Sequence, residues 1–143
     1  MSTIEAQNTT LVHKFVDRIN AKDLEGALTM FGSDYVEHAV YPGMPAGVES
    51  VRVFFRMVFA GFPDIHTTLL DTIAGGDKVV VRASSEGTHT GPFLGIPATG
   101  KHAKWSFIDI HRIADGKMVE HWAETDQMSL MQQLGLVPPP QGR

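Results

Sequence analysis

Apolar side chains at Leu11, Val12, Phe15, Val16 and Ile19 recur at the spacing of one helical stripe, with Lys14, Asp17 and Arg18 on the other side. Asp23 is placed to cap a short second helix in which Leu24, Ala27, Leu28 and Phe31 continue the apolar face until Gly32. Asp34 to Ala39 reads as a brief extended piece. Tyr41 to Gly47 carries Pro42, Gly43, Pro45 and Gly47 and reads as a loop. A third helix is predicted over Glu49 to Ala60, with Val51, Phe54, Phe55, Val58 and Phe59 apolar and Gly61 and Pro63 as its stop.

From Asp64 onward the period changes from helical to alternating. Ile65 to Ala74 and Lys78 to Thr90 are predicted strands joined at Gly75-Gly76-Asp77, with Val79, Val81, Ala83 and Ser85 facing one way and Val80, Arg82, Ser84 and Glu86 the other. After a Gly- and Pro-rich loop, Gly91 to Gly100, His102 to Ile113 and Lys117 to Ala123 read as a hairpin around Ala114-Asp115-Gly116. Asp126 can cap a last short helix, Gln127 to Leu134, before Gly135 and Pro138 to Pro140 stop regular structure. Helices first and strands afterward predict an α+β fold: a cone-shaped barrel of a curved, mostly antiparallel sheet packed on three N-terminal helices. The mouth of the cone is the expected binding place for a small molecule.

The length of 143 residues predicts a single domain over 1–143, long enough to bury a core without staples. No cysteine is present, which excludes disulfides, thiolate metal sites and a cysteine nucleophile. The net charge is −4 and the basic residues are scattered, so nucleic acid is not an expected partner. The longest apolar run, Met57 to Ala60, is far below the roughly 20 residues of a membrane span, and no signal-like N-terminal segment is seen. A cytoplasmic location is the default expectation.

Seven histidines turn the reading toward acid/base chemistry. A two-residue turn at Asp115-Gly116 would pair Ala114 with Lys117 and set Asp109 opposite Trp122. A three-residue turn with a bulge at Gly116 would pair Ile113 with Lys117 and set Asp109 opposite His121. The second register is preferred, because it gathers Trp105, Phe107, Asp109, Val119, His121 and Ala123 on one face. There a carboxylate can fix the tautomer of an imidazole while partial burial tunes both for proton transfer; an ordinary cross-strand ion pair is the alternative. His38 is a candidate for the pocket rim or a solvent-facing histidine. Arg82, amid a run of valines, is a candidate for an oxyanion or one partner of an outer-face salt bridge. Metal binding is not expected, since the histidines show no His-x-x-x-His or His-x-His spacing. Neither a serine elbow nor a phosphate-binding glycine loop is present. The methionines, such as Met57, Met128 and Met131, read as core filler.

Several segments together resemble the SnoaL-like polyketide cyclases of the cone-shaped superfamily named after nuclear transport factor two. They are Asp34-Tyr-Val-Glu-His38, Gly87-Thr-His-Thr-Gly91, Gly95-Ile-Pro-Ala-Thr-Gly100, Asp115-Gly-Lys-Met-Val-Glu-His-Trp122, Asp126 and Gln133-Leu-Gly135. The resemblance implies an α+β barrel with a deep pocket, a homodimer joined through the sheet, and no cofactor. It further implies intramolecular aldol closure of a polyketide ester by an acid/base aspartate. The position of that aspartate is Ala123 here, and a pocket histidine of the family falls on Asp109, while His121 and Asp126 match family positions.

The resulting expectation is a cofactor-independent acid/base enzyme acting on a small hydrophobic carbonyl compound, of cyclase, isomerase or hydrolase type. Asp109 and His121 are its catalytic pair, and His38, Arg82, Trp105, Phe107, Trp122 and Asp126 its substrate-binding residues. A non-catalytic ligand-binding domain of the same fold is the alternative, and a filled dimerisation module a third.

Overall fold

The computed structural model describes residues 2–140. Helix α1 (Thr3–Asn20) starts at a capping box, in which Ser2 and Glu5 satisfy each other's backbone N–H groups, and buries Val12, Phe15 and Ile19. Helix α2 (Leu24–Leu28) is capped by Asp23. Strand β1 (Phe31–Glu37) follows, then α3 (Val48–Gly61), β2 (His66–Gly75), β3 (Lys78–Thr88), β4 (His102–Ala114), β5 (Lys117–Thr125) and α4 (Gln127–Gln133). The predicted α+β class and curved, mostly antiparallel sheet are what the chain forms.

The sheet runs β1-β5-β4-β3-β2, with β1 parallel to β5 and every other pair antiparallel. Phe31 does not extend the second helix as predicted. It opens β1 opposite Met118, because its ring packs edge-on against Phe15 and Tyr35 inside the main core. That core joins Val12, Phe15 and Ile19 of α1 to Val51 of α3 and Val79 and Val81 of β3. A second cluster, Val58, Phe62, Phe93, Leu130 and Leu134, closes the other end. No helix among the described residues is long and apolar enough to cross a membrane. The last tail residues, 141–143, lie outside the described residues.

The β4–β5 hairpin corrects the preferred register. Ala114 pairs with Lys117 across a two-residue turn whose Asp115 and Gly116 have φ of 50° and 73°, the pattern of a type I′ turn. The pairing then shifts between Arg112↔Glu120 and Ile113↔Met118, so Val119 is an extra residue on β5. Beyond it His111 opposes His121 and Asp109 opposes Ala123. A tight turn alone would turn Trp122 inward; the bulge restores the inward face to His121 and Ala123, since a one-residue slip reverses every side chain of a strand.

Gly91 marks where the loop after β3 passes closest to α3. A Cβ there would sit 2.0 Å from the Ala60 carbonyl oxygen. At Gly116 a Cβ would meet open space, and only the positive φ opposes it. Gly91→Ala is therefore expected to destabilise by about 3 kcal/mol or more, and Gly116→Ala by about 1 kcal/mol. Urea unfolding of the two variants beside wild type checks the order; equal losses would contradict the close approach.

Candidate active site

The concave face of the sheet and the inner faces of α1 and α3 enclose a partly open cavity of about 180 Å³, counted as space for the centre of a water molecule. Its wall is dominated by aromatic and aliphatic side chains, among them Phe15, Phe31, Phe54, Phe55, Trp105 and Phe107. Alternation selects these groups. Residues 105, 107, 109 and 111 of β4, 121, 123 and 125 of β5, and Tyr35 and Glu37 of β1 all point inward.

At one part of this wall the polar groups converge. His121 Nδ1 lies 2.6 Å from Glu37 Oε2, and His121 Nε2 lies 3.0 Å from Asp109 Oδ1. The side chains of Glu37, Asp109 and His121 retain 10%, 18% and 15% of their exposure, so this is a charged triad largely removed from bulk water. Glu37 also accepts from the Tyr35 hydroxyl at 2.6 Å and from the Ala39 N–H at 3.1 Å. His111 stacks on His121, with ring centroids 4.8 Å apart and planes 22° from parallel.

The electrostatics follow from these contacts. Burial pulls the His121 imidazole down, but the Asp109 and Glu37 carboxylates outweigh it and hold its pKa up at about 10. Burial likewise works against the Glu37 carboxylate, yet its bonds to His121, Tyr35 and Ala39 keep it below the usual carboxylate range. Burial, and then the Glu37 charge, push the Tyr35 hydroxyl well above its ordinary value. His111 goes the other way, lowered to about 4 by burial and by the cation beside it. Near neutral pH the cavity thus holds an imidazolium between two carboxylates and over a neutral imidazole.

Four predicted residues line this cavity: Asp109, His121, Trp105 and Phe107. The others lie elsewhere. Arg82 sits on the outer face with its Nε 2.6 Å from Asp71, both about half exposed. His38 pairs with Glu120 at 2.7 Å and stacks on Trp122, also outside. Arg82, His38 and Trp122 each adjoin an inward residue, Val81, Glu37 and His121, so strand alternation turns them outward. Asp126 caps α4 by accepting from the Ser129 N–H.

Glu37, Tyr35 and His111 escaped the sequence reading. Period-two spacing from Phe31 through Tyr35 to Glu37, and from Trp105 through Asp109 to His111, is the signal that reaches them. The expectation that no metal-ligand set exists also changes, because Asp109, His111 and His121 offer donor atoms within 4.8 Å of one another. Histidine spacing within one element misses a group assembled from two strands. Both His121 nitrogens are committed to carboxylates, however, which favours the protonated ring over a ligating one.

The pair Glu37–His121 makes stability depend on pH in a defined sense. His121 is raised from 6.5, so its contribution is complete below that value and lost as pH rises through about 10. Glu37 is lowered from 4.5, so its contribution is complete above that value and lost only in acid. The stability difference between wild type and Glu37→Gln is expected to be larger at about pH 6 than at about pH 10 in urea titrations. A difference independent of pH over that range would contradict the paired imidazolium.

Comparison with known proteins places this chain in a family. Residues 9–134 match the model of the SnoaL-like polyketide cyclases. The chain is 25% identical over 130 residues to aklanonic acid methyl ester cyclase DnrD of Streptomyces peucetius, covering 87% of this chain and 88% of that protein. Among solved structures, TsrD from Streptomyces laurentii superimposes with a TM-score of 0.85 at 31% identity, over 96% of this chain and 99% of that one. IdmH from Streptomyces antibioticus gives a TM-score of 0.77 at 30% identity, over 90% and 99% of the two chains. With the matched region spanning all five strands and the helices around the cavity, the chain belongs to the SnoaL-like polyketide cyclase family.

Proposed function

We propose that this protein is an acid/base enzyme that moves a proton on a small hydrophobic carbonyl compound, such as a polyketide ester, inside the cone. The observation that carries the reading is the Glu37–His121–Asp109 triad at the wall of an otherwise aromatic cavity. Asp109 is the base that takes a proton from carbon beside the carbonyl. His121, held as a cation by Asp109 and Glu37, offsets the negative charge that develops, and the protonated Asp109 returns the proton to the oxygen. In a ring closure the enolate carbon then attacks a second carbonyl of the same molecule, which the apolar walls hold folded against it.

The position of the family's acid/base aspartate is Ala123, and Asp109 is its direct cross-strand partner. The acid therefore enters the same part of the cavity from the neighbouring strand. The same Ala123 supports a second reading, a cavity that binds such compounds without turning them over. Both fit an uncharged ligand, since the cavity lining among the described residues includes two carboxylates and no Lys or Arg. We also propose the family's homodimer through the outer sheet face, where Val36 and Ile108 are about half exposed.

Asp109→Asn separates the two readings. With a methyl ester of an aromatic β-keto acid as substrate, the enzyme reading predicts a loss of turnover of about a hundredfold or more with a retained fold. Arg82→Ala, on the outer face, is expected to leave turnover within about twofold. No wild-type turnover of any such ester, together with measurable binding, would favour the silent binding domain.

A further inference from the structure

His111 is the most unusual side chain in the cavity wall. It is 4% exposed, wedged between the edge of Phe15 and the face of His121, and its Nδ1 is buried without a hydrogen-bond partner. A phenylalanine would fill such a place without orphaning a polar atom, and an unpaired buried polar atom is a lasting penalty. Something at the other ring nitrogen must offset it. Among the described residues Nε2 has no partner within hydrogen-bond distance, and Asp109 Oδ2 lies 3.9 Å away. That gap is too long for a hydrogen bond and right for an intervening atom.

We infer that Asp109 Oδ2 and His111 Nε2 form a two-point seat for a single hydroxyl or enol oxygen of the ligand. An oxygen about 2.8 Å from both would see them at roughly a right angle, close to the angle between its own hydrogen and a lone pair. The hydroxyl hydrogen goes to Oδ2, which is free because His121 occupies Oδ1. The lone pair accepts from His111 Nε2–H. The carboxylate facing Nε2 draws the single imidazole proton to that nitrogen and leaves a bare lone pair at the buried Nδ1. A ketone or ether oxygen cannot satisfy Oδ2, so the seat discriminates between an enol and its keto form. The inference rests on the cavity being the ligand site proposed above, and it assigns His111, which that reading leaves unused, to ligand selection.

Two probes test it, 2-naphthol and 2-methoxynaphthalene, in which a methyl group replaces the hydroxyl hydrogen, titrated calorimetrically into wild type and His111→Phe in buffer containing a chelator. Wild type is expected to bind 2-naphthol at least about tenfold more tightly. His111→Phe is expected to keep both ligands and reduce the preference to within about twofold. Should His111→Phe not fold, the ¹H–¹⁵N signal of His111 Nε2 in wild type supplies the answer, since its downfield hydrogen-bond shift should be clearly larger with 2-naphthol than with the ether, and equal shifts would overturn the seat. Binding of both probes without a preference, or a preference kept in His111→Phe, overturns the seat and leaves the ligand cavity standing. Binding of neither overturns the cavity reading and the seat together.

Discussion

A charged imidazole inside an apolar cavity survives only if carboxylates meet both of its nitrogens, and much of this architecture serves that condition. Removing one partner of a buried ion pair typically costs about 3–5 kcal/mol, because the remaining charge is left without solvent or counter-ion. His121 therefore needs Glu37 on one side and Asp109 on the other. These residues lie on three strands, and β5 must run between β1 and β4 for all three to meet. The parallel β1–β5 pair places Glu37 opposite His121, and the antiparallel β4–β5 pair brings Asp109 to within a diagonal step. Tyr35 and the Ala39 N–H then complete the Glu37 carboxylate, so the positive ring rests on a fixed counter-charge.

Strand alternation decided how much of this could be read in advance. The layer order and the hairpin follow from hydrophobic period and turn chemistry, and the inward face shared by Asp109 and His121 follows from strand alternation. The structure reaches that shared face by a different register from the bulged turn that the sequence favours. The chain makes the tight turn and then inserts Val119, and the two departures together preserve the inward face while moving the residue opposite Asp109 from His121 to Ala123. A bulge has no sequence signal as clear as Asp-Gly, so the compensation is visible only in three dimensions. Glu37 was hidden differently. Its partner is 84 residues away on a parallel strand, and no local pattern announces such a pairing. Arg82, His38 and Trp122 show the converse, because a charged or aromatic group beside an inward residue attracts notice while its side chain points away.

Family membership sharpens the chemical question. The resemblance sets the family's acid/base aspartate at Ala123, and Asp109 is the residue paired directly across from that position. In the proposed reading the acid on the paired strand stays in the same polar patch and contacts His121. In the proposed reaction the aromatic walls hold a folded hydrophobic chain, while the triad sets where its oxygen and its acidic carbon lie. Two imidazoles about 5 Å apart thus have opposite protonation, because burial and the neighbouring cation lower His111 while two carboxylates in direct contact hold His121 up.

At neutral pH His121 is an imidazolium held by two carboxylates. Side-chain ¹⁵N spectra of His121, followed with pH in wild type and in Asp109→Asn, test it most directly. The account predicts two protonated ring nitrogens at pH 7, deprotonation only near pH 10, and a clear fall of that midpoint in Asp109→Asn. A ring already neutral at pH 7, with a midpoint unmoved by the substitution, would contradict it.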